Sequence, residues 1–134
     1  MKKFYVGIKG VVQEPGKGFL LLKRDYKSGD FWDTPGGRMD GDEDFRATLM
    51  RELSEELPGI KDVSIGELLG AHRLQKDIDG DVSLFLLYFL VRAKLPEPVK
   101  LSEEHDDYLW VKAAKDVPAG LNSEIEKILR NLLD

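Results

Sequence analysis

The chain contains no cysteine. Disulfide frameworks, thiolate zinc sites, iron–sulfur clusters and cysteine nucleophiles are therefore excluded, and a reducing, cytoplasmic location is expected. Long apolar runs are also missing, because the longest covers only residues 84 to 91. Crossing a bilayer takes roughly 18 to 20 apolar residues. We therefore expect no membrane insertion.

A surplus of positive charge is absent as well. The chain has 20 Lys and Arg against 25 Asp and Glu, a formal net charge of -5. Such a chain has no general attraction for a nucleic-acid backbone or an anionic membrane, so we do not expect nucleic acid as a partner. A polyanionic ligand would have to be held by local cations or by metal ions.

The length of 134 residues, 42% of them hydrophobic, is enough for one packed core. We expect one domain over residues 1–134, and the sequence leaves the oligomeric state open, a homodimer included. Alternating or continuous apolar stretches predict strands, and a four-residue apolar period predicts helices. The predicted strands are 4–12, 19–24, 63–74, 82–93 and 108–111, and the predicted helices are 44–57 and 122–132.

The order of these elements predicts the fold class. A hairpin turn is expected at Pro15-Gly16 and another at Asp79-Gly80, and Asp42 is the expected cap of the first helix. Strands interrupted by two helices predict an α/β (α+β) fold, with a mixed sheet that contains mainly antiparallel pairs and is flanked by helices.

Three carboxylates fall on one side of the first predicted helix. Glu52, Glu55 and Glu56 lie within about one turn, at the border of an apolar stripe that runs from Phe45 to Leu57. Crowded carboxylates repel one another, and a hard divalent cation such as Mg²⁺, Mn²⁺ or Ca²⁺ removes that penalty. A magnesium site of this kind would point to a phosphate-bearing substrate. Taken alone, the triplet is more typical of a solvated helix surface than of a metal site.

Two glycines precede this helix and add a second signal. Gly36-Gly37 after Pro35 would let the backbone approach a ligand or a metal closely. Together with the helix they resemble the signature of the Nudix hydrolases: Gly, five residues, Glu, seven residues, Arg-Glu, an apolar residue, any residue, Glu-Glu, any residue, Gly and an apolar residue. The matching positions are Gly37, Glu43, Arg51, Glu52, Leu53, Glu55 and Glu56.

The chain departs from this signature at one position. Pro58 stands where the signature has its second glycine, and Gly59 follows one residue late. We interpret this as a one-residue insertion after the helix that leaves the carboxylates in place. The resemblance extends to Trp32 and Pro35 ahead of the glycines, and to the segment 102–111 near the end.

The resemblance implies a Nudix-like α/β/α sandwich and a pyrophosphohydrolase that depends on Mg²⁺, with Mn²⁺ as the second candidate. In that family the signature carboxylates bind metal, the Arg and the first Glu orient the helix, and a late acidic residue serves as base or ligand. Glu104 is our first choice for the late residue, with Glu103 and Asp107 as alternatives. Carried onto this chain, the catalytic residues are Glu52, Arg51, Glu55 and Glu104; the metal ligands are Glu52, Glu55, Glu56 and the Gly36 carbonyl; and Glu43 supports the site.

Substrate contacts are expected near the glycines and the second strand. Lys23 and Arg24 are candidates for phosphate binding, Gly37 for close backbone approach, and Trp32 for stacking on a base. Each of the three side chains is also compatible with a plain structural role. The two histidines, His72 and His105, lack the paired spacing of a zinc site and are expected to be ordinary polar residues.

The leading functional hypothesis is cleavage of a nucleoside diphosphate linked to another moiety, such as a nucleoside triphosphate, a sugar nucleotide or a dinucleoside polyphosphate. The alternatives are a non-catalytic nucleotide-binding module and a pyrophosphohydrolase of RNA 5′ ends. We find no subgroup motif downstream of the helix that selects among the substrates.

Overall fold

The computed structural model describes residues 1–26 and 29–133. Its regular elements follow the predicted order and add two short strands and a 3-10 turn. They are β1 (Lys3–Glu14), β2 (Gly18–Tyr26), β3 (Gly29–Asp33), β4 (Gly36–Arg38), α1 (Phe45–Glu56), β5 (Lys61–Arg73), β6 (Val82–Lys94), β7 (Asp107–Val111), the 3-10 turn Ala114–Asp116 and α2 (Ser123–Leu132).

The strands form one mixed sheet. Its main order is β3-β2-β1-β6-β5, with β4 paired to β1 and β7 paired to β2. The pair β1 and β6 is parallel, and the other pairs are antiparallel. A parallel pair requires a crossover, and the connection that contains α1 supplies it. The predicted mixed sheet flanked by helices is confirmed.

Alternation along the strands divides the core between the two faces of the sheet. Ile8 and Val12 of β1 pack in the cluster that contains α1, whereas Val11 packs in the cluster that contains α2. Successive strand residues point to opposite faces, so one strand serves both layers. The sheet therefore lies between the two helices, as the sandwich requires.

Helix α1 packs closely on β1 because β1 has a glycine under it. A Cβ at Gly10 would lie 3.3 Å from Leu49 and 3.6 Å from Leu53, and both leucines are fully buried.

The predicted cap was wrong: the Asp44 side chain, not Asp42, accepts the N–H of Ala47 at 2.9 Å. The helix therefore begins at Phe45, directly after its cap Asp44.

The departure from the signature lies beyond the carboxylates. Leu57 caps α1, and Gly59 has φ +86°, a conformation that favours glycine. A Cβ at Gly59 would also lie 2.7 Å from Pro96 Cγ. The glycine that follows Pro58 therefore makes the turn, while Glu52 to Glu56 stay helical.

No helix among the described residues has both the length and the apolar composition needed to span a membrane.

Leu53→Ala tests how much the contact between α1 and the sheet stabilises the protein. Leu53 is fully buried, so we expect a loss of about 2 to 5 kcal/mol in the free energy of unfolding, measured by urea denaturation. The matched control is Leu68→Ala on β5, where the side chain is 53% exposed and a change within about 0.5 kcal/mol is expected. Equal losses in both variants would contradict the packing described here.

Candidate active site

The C-terminal part of α1, which carries Glu52, Glu55 and Glu56, lies beside strand β4. A Cβ placed on Gly37 would lie only 2.3 Å from Glu52 Oε1, so the absence of a side chain at Gly37 makes room for this carboxylate. Glu52 is well covered, with 16% of its side chain exposed, whereas the Glu55 side chain is 60% exposed. The helix therefore presents Glu52 inward and Glu55 toward solvent.

Arg51 organises the acidic groups around it. Its Nε and Nη2 donate to the two Glu43 oxygens at 2.7 and 2.9 Å, and its Nη1 donates to Glu52 Oε1 at 2.8 Å. The Arg51 hydrogen bonds hold the Glu43 pKa at about 2, and these partners raise the Arg51 pKa. Thr48 Oγ1 adds a hydrogen bond to Glu43 at 3.2 Å. Arg51 thus connects Glu43 to Glu52, and the orienting role of this pair stays a prediction.

Glu56 is the buried carboxylate of the site. Its Oε2 accepts the backbone N–H of Gly36 at 2.7 Å, and the residue is 5% exposed. Burial, reinforced by the nearby charges of Glu52 and Glu104, raises the Glu56 pKa to about 7, although the Gly36 hydrogen bond and Lys9 oppose the shift. A buried carboxylate with this pKa is the kind of ligand that a divalent cation would stabilise in its charged form.

The loop between β6 and β7, residues 95–106, is called the late loop here, and it brings two more candidate ligands to Glu56. Ligand atoms of Glu56, Glu104 and His105 all lie within 4.8 Å of one another. Backbone hydrogen bonds fix this loop at both ends, since Ser102 N–H donates to the Glu56 carbonyl at 3.2 Å and Asp106 N–H donates to the carbonyl of β2 residue Lys23 at 3.0 Å. The chain segment before β7 is thereby tied to the end of α1.

The group that the structure brings together differs from the predicted helical triplet. Among residues 1–26 and 29–133, it is Glu56, Glu104 and His105, rather than Glu52, Glu55 and Glu56, whose ligand atoms converge within 4.8 Å. Arg51 explains the difference, because its guanidinium lies 2.8 Å from Glu52 and 3.7 Å from Glu55 and draws both carboxylates toward itself. The Gly36 carbonyl stays a predicted ligand.

A cleft of about 550 Å³ adjoins these acidic groups. Cationic side chains from three strands reach it, and apolar side chains of β6 and of the β5–β6 connection form part of its wall. Its lining residues are Gly7, Lys9, Arg24, Asp33, Gly36, Gly37, Arg38, Glu52, Leu74, Leu84, Leu86, Glu104 and Asn122. A volume of this size is within the range of small-molecule sites.

The predicted substrate residues divide into two groups. Arg24 and Gly37 line the cleft, and Arg24 Nη2 lies 3.8 Å from Glu104. Lys23 is the neighbour of Arg24 in β2, and adjacent strand residues point to opposite faces, so it is not among the lining residues. Trp32 lines a smaller pocket of about 160 Å³ that shares Arg24 with the cleft, and it also packs against the α2 side of the core.

Sequence reasoning missed two residues of this site. Lys9 lines the cleft with only 12% of its side chain exposed, and its Nζ lies 3.3 Å from Asp33. The available signal was a lysine inside an otherwise apolar strand. His105 is 8% exposed beside Glu56, and burial lowers its pKa, so it is not the ordinary polar residue that its spacing suggested. No local pattern distinguishes it from His72.

Comparison with known proteins identifies the family and agrees with the fold. The family model described as the NUDIX domain matches residues 2–132. The chain belongs to the NUDIX domain family. The signature residues inferred from the sequence lie inside the matched region, and the fold is the one found in solved members of the family.

Three relatives illustrate the similarity. The CTP pyrophosphohydrolase of Escherichia coli (strain K12) is 34% identical over 77 residues, which are 56% of this chain and only 53%, about half, of that curated protein. The MutT protein of Methanosarcina mazei Go1 superimposes with a TM-score of 0.77 at 23% identity, over 97% of this chain and 93% of that one. The Ap4A hydrolase of C. elegans gives 0.71 at 27% identity, over 94% of each chain.

Glu43→Gln tests the ion pair that supports the helix. Because the folded pKa of Glu43 is about 2 against an ordinary 4.5, its ionised form stabilises the fold above pH 4.5, and this contribution is lost as the pH falls from 4.5 toward 2. The wild type should therefore lose more stability over that interval than Glu43→Gln, as measured by urea denaturation at several pH values. Glu67→Gln, an exposed change on β5, should follow the wild type. Parallel curves for all three proteins would contradict the role of the pair.

Proposed function

We propose that this protein is a divalent-metal-dependent hydrolase of phosphoric anhydride bonds that cleaves a nucleoside diphosphate linked to another moiety. The observation that carries the proposal is one cleft in which the carboxylates of Glu52 and Glu104 adjoin the cations Lys9, Arg24 and Arg38. Carboxylates suit the binding of a hard cation, and nearby cations suit the binding of phosphate. Membership of the family supports the same reaction class.

The donor set fits a divalent cation. Glu56 and Glu104, whose ligand atoms lie close together, are the residues that would hold it, with Glu52, Glu55 and the Gly36 carbonyl as further ligands implied by the signature. The raised pKa of the buried Glu56 supports this assignment, because the Gly36 hydrogen bond and Lys9 compensate its ionised form only in part. When bound, Mg²⁺ or Mn²⁺ neutralises diphosphate oxygens and lowers the pKa of a coordinated water.

The protein groups around this position have separate tasks in the proposed reaction. Arg51 and Glu43 hold Glu52 in place, and Gly37 leaves space for that carboxylate. Glu104 reaches the cleft from the late loop; the resemblance allows it to act as base or as ligand, and its position beside Glu56 favours the ligand role. Catalysis would then depend mainly on positioning and electrostatic stabilisation.

The cations indicate where the phosphates bind. Lys9 extends from β1 into the cleft and is held by Asp33, while Arg24 enters from β2. The apolar side chains Leu84 and Leu86 would meet the less polar part of the substrate. Two relatives suggest the first compounds to test, since they are described as a CTP pyrophosphohydrolase and an Ap4A hydrolase.

A substrate screen with mass-resolved products tests the proposal. Nucleoside triphosphates, sugar nucleotides and dinucleoside polyphosphates, beginning with CTP and Ap4A, are incubated with the protein and Mg²⁺ or Mn²⁺. Metal-dependent cleavage of a phosphoric anhydride is the expected result. Tight nucleotide binding without product over hours would instead favour a non-catalytic module, and cleavage confined to triphosphorylated or capped RNA would favour an RNA 5′-end pyrophosphohydrolase.

Glu52→Gln tests the assignment of the acidic residues. The substitution removes one charge without changing the shape of the side chain, so kcat should fall by about 100-fold or more if Glu52 stabilises the reacting centre electrostatically. Glu67→Gln is the same chemical change on an exposed position of β5 and should leave kcat unaltered. Full activity in Glu52→Gln would end this assignment.

Lys9→Met tests the phosphate contact. The side chain keeps its length and loses its charge, and hydrogen bonds to charged groups contribute about 1.5 to 3 kcal/mol, so kcat/KM should fall by about 10- to 100-fold. Lys17→Met is the matched control, because Lys17 pairs with Glu14 and is not among the residues that line the cleft. Unchanged kcat/KM in Lys9→Met would place the substrate phosphates elsewhere.

A further inference from the structure

His105 is a buried side chain without a hydrogen bond among the described residues. Only 4% of its side chain is exposed, and its Nδ1 is enclosed with no partner. Its Nε2 faces Glu56 Oε1 at 4.0 Å, which is too far for a hydrogen bond. Buried polar atoms nearly always have a partner, so an imidazole whose enclosed Nδ1 has none, and whose Nε2 faces a carboxylate beyond hydrogen-bond distance, is a candidate for binding a ligand.

Two carboxylates lie near the imidazole, together with the cations Arg24 and Lys9, whose charges also act on it. The carboxylates are those of Glu56 on α1 and Glu104 in the late loop, and one oxygen of each and an imidazole nitrogen all lie within 4.8 Å of one another. The loop cannot easily withdraw, because His105 N–H donates to the Ser102 carbonyl at 3.2 Å and Ser102 N–H donates to the Glu56 carbonyl at 3.2 Å. The ring is thus held beside Glu56 by the backbone.

We propose that His105 is a nitrogen ligand to a divalent cation that it shares with Glu56 and Glu104. The inference rests on the proposed metal dependence and adds a ligand of different chemistry, since the signature supplies oxygen ligands alone. Imidazole nitrogen favours transition metals over Mg²⁺, whereas carboxylates also accept Mn²⁺ readily. The mixed set therefore predicts a preference for Mn²⁺ over Mg²⁺ at this position.

Pulsed EPR of the Mn²⁺-loaded protein tests the nitrogen ligand directly. The chain has two histidines, His72 and His105, so an imidazole coupling has two candidate sources. We expect ¹⁴N coupling of a directly bound imidazole in the wild type and in His72→Asn, and its loss in His105→Asn. Coupling that is present in the wild type and retained in His72→Asn already assigns the nitrogen to His105, since the chain has only two histidines. The test therefore holds even where His105→Asn fails to fold.

Calorimetric titration supplies a second readout. His105→Asn should lower the Mn²⁺ affinity by about tenfold and the Mg²⁺ affinity by less, because the lost ligand is a nitrogen. His72→Asn should bind both ions as the wild type does. An equal loss for the two ions would overturn the proposed nitrogen ligand.

The outcomes separate this inference from the proposed function. Bound Mn²⁺ without imidazole coupling, in a wild-type protein that still cleaves its substrate, would overturn the role of His105 and leave the hydrolase proposal intact. Coupling that survives in His105→Asn and disappears in His72→Asn would also overturn it. Absence of any Mn²⁺ uptake would overturn both proposals.

Discussion

The hydrogen bond from the Gly36 N–H to the Glu56 carboxylate joins the two parts of the sequence that the candidate site needs. It is 2.7 Å long and connects residues twenty positions apart, one in strand β4 and the other at the end of α1. It is formed only because α1 packs on the sheet, where Gly10 leaves room for Leu49 and Leu53. The Glu56 carboxylate is thereby kept buried, where its ionised form is stabilised by a nearby positive charge.

Charged side chains of both signs lie near Glu56. The chain carries a formal net charge of -5, yet the acidic groups near the cleft are interleaved with cations. Arg51 draws Glu43 and Glu52 together, and Lys9 and Arg24 approach from the sheet. The net charge therefore does not decide the potential in the cleft, which depends on the local arrangement of these groups.

Packing and backbone hydrogen bonds connect the late loop to the same point. The loop before β7 is fixed to the end of α1 through Ser102 and to β2 through Asp106. As a result, Glu104 and His105 arrive beside Glu56, although about fifty residues separate them in the chain. The site is thus assembled from α1, the late loop and residues of five strands, β1, β2, β3, β4 and β6.

The sequence by itself determined what depends on local spacing. Five of the seven described strands, the two helices and the resemblance to the family follow from patterns among residues a few places apart. The positions of Arg51 and the signature carboxylates on one helix follow from spacing whose geometry is known in advance. The helix cap was misplaced, at Asp42 instead of Asp44, because both residues cap well and only the fold decides between them.

Tertiary structure alone decided the rest. Lys9 lies in the cleft because β4 pairs with β1, Lys23 is excluded because it alternates with Arg24, and His105 meets Glu56 through loop contacts. Such distances between remote segments result from strand register and from the packing of α1 on the sheet. Neither leaves a local pattern in the amino-acid sequence, because each depends on residues that are neighbours only after folding.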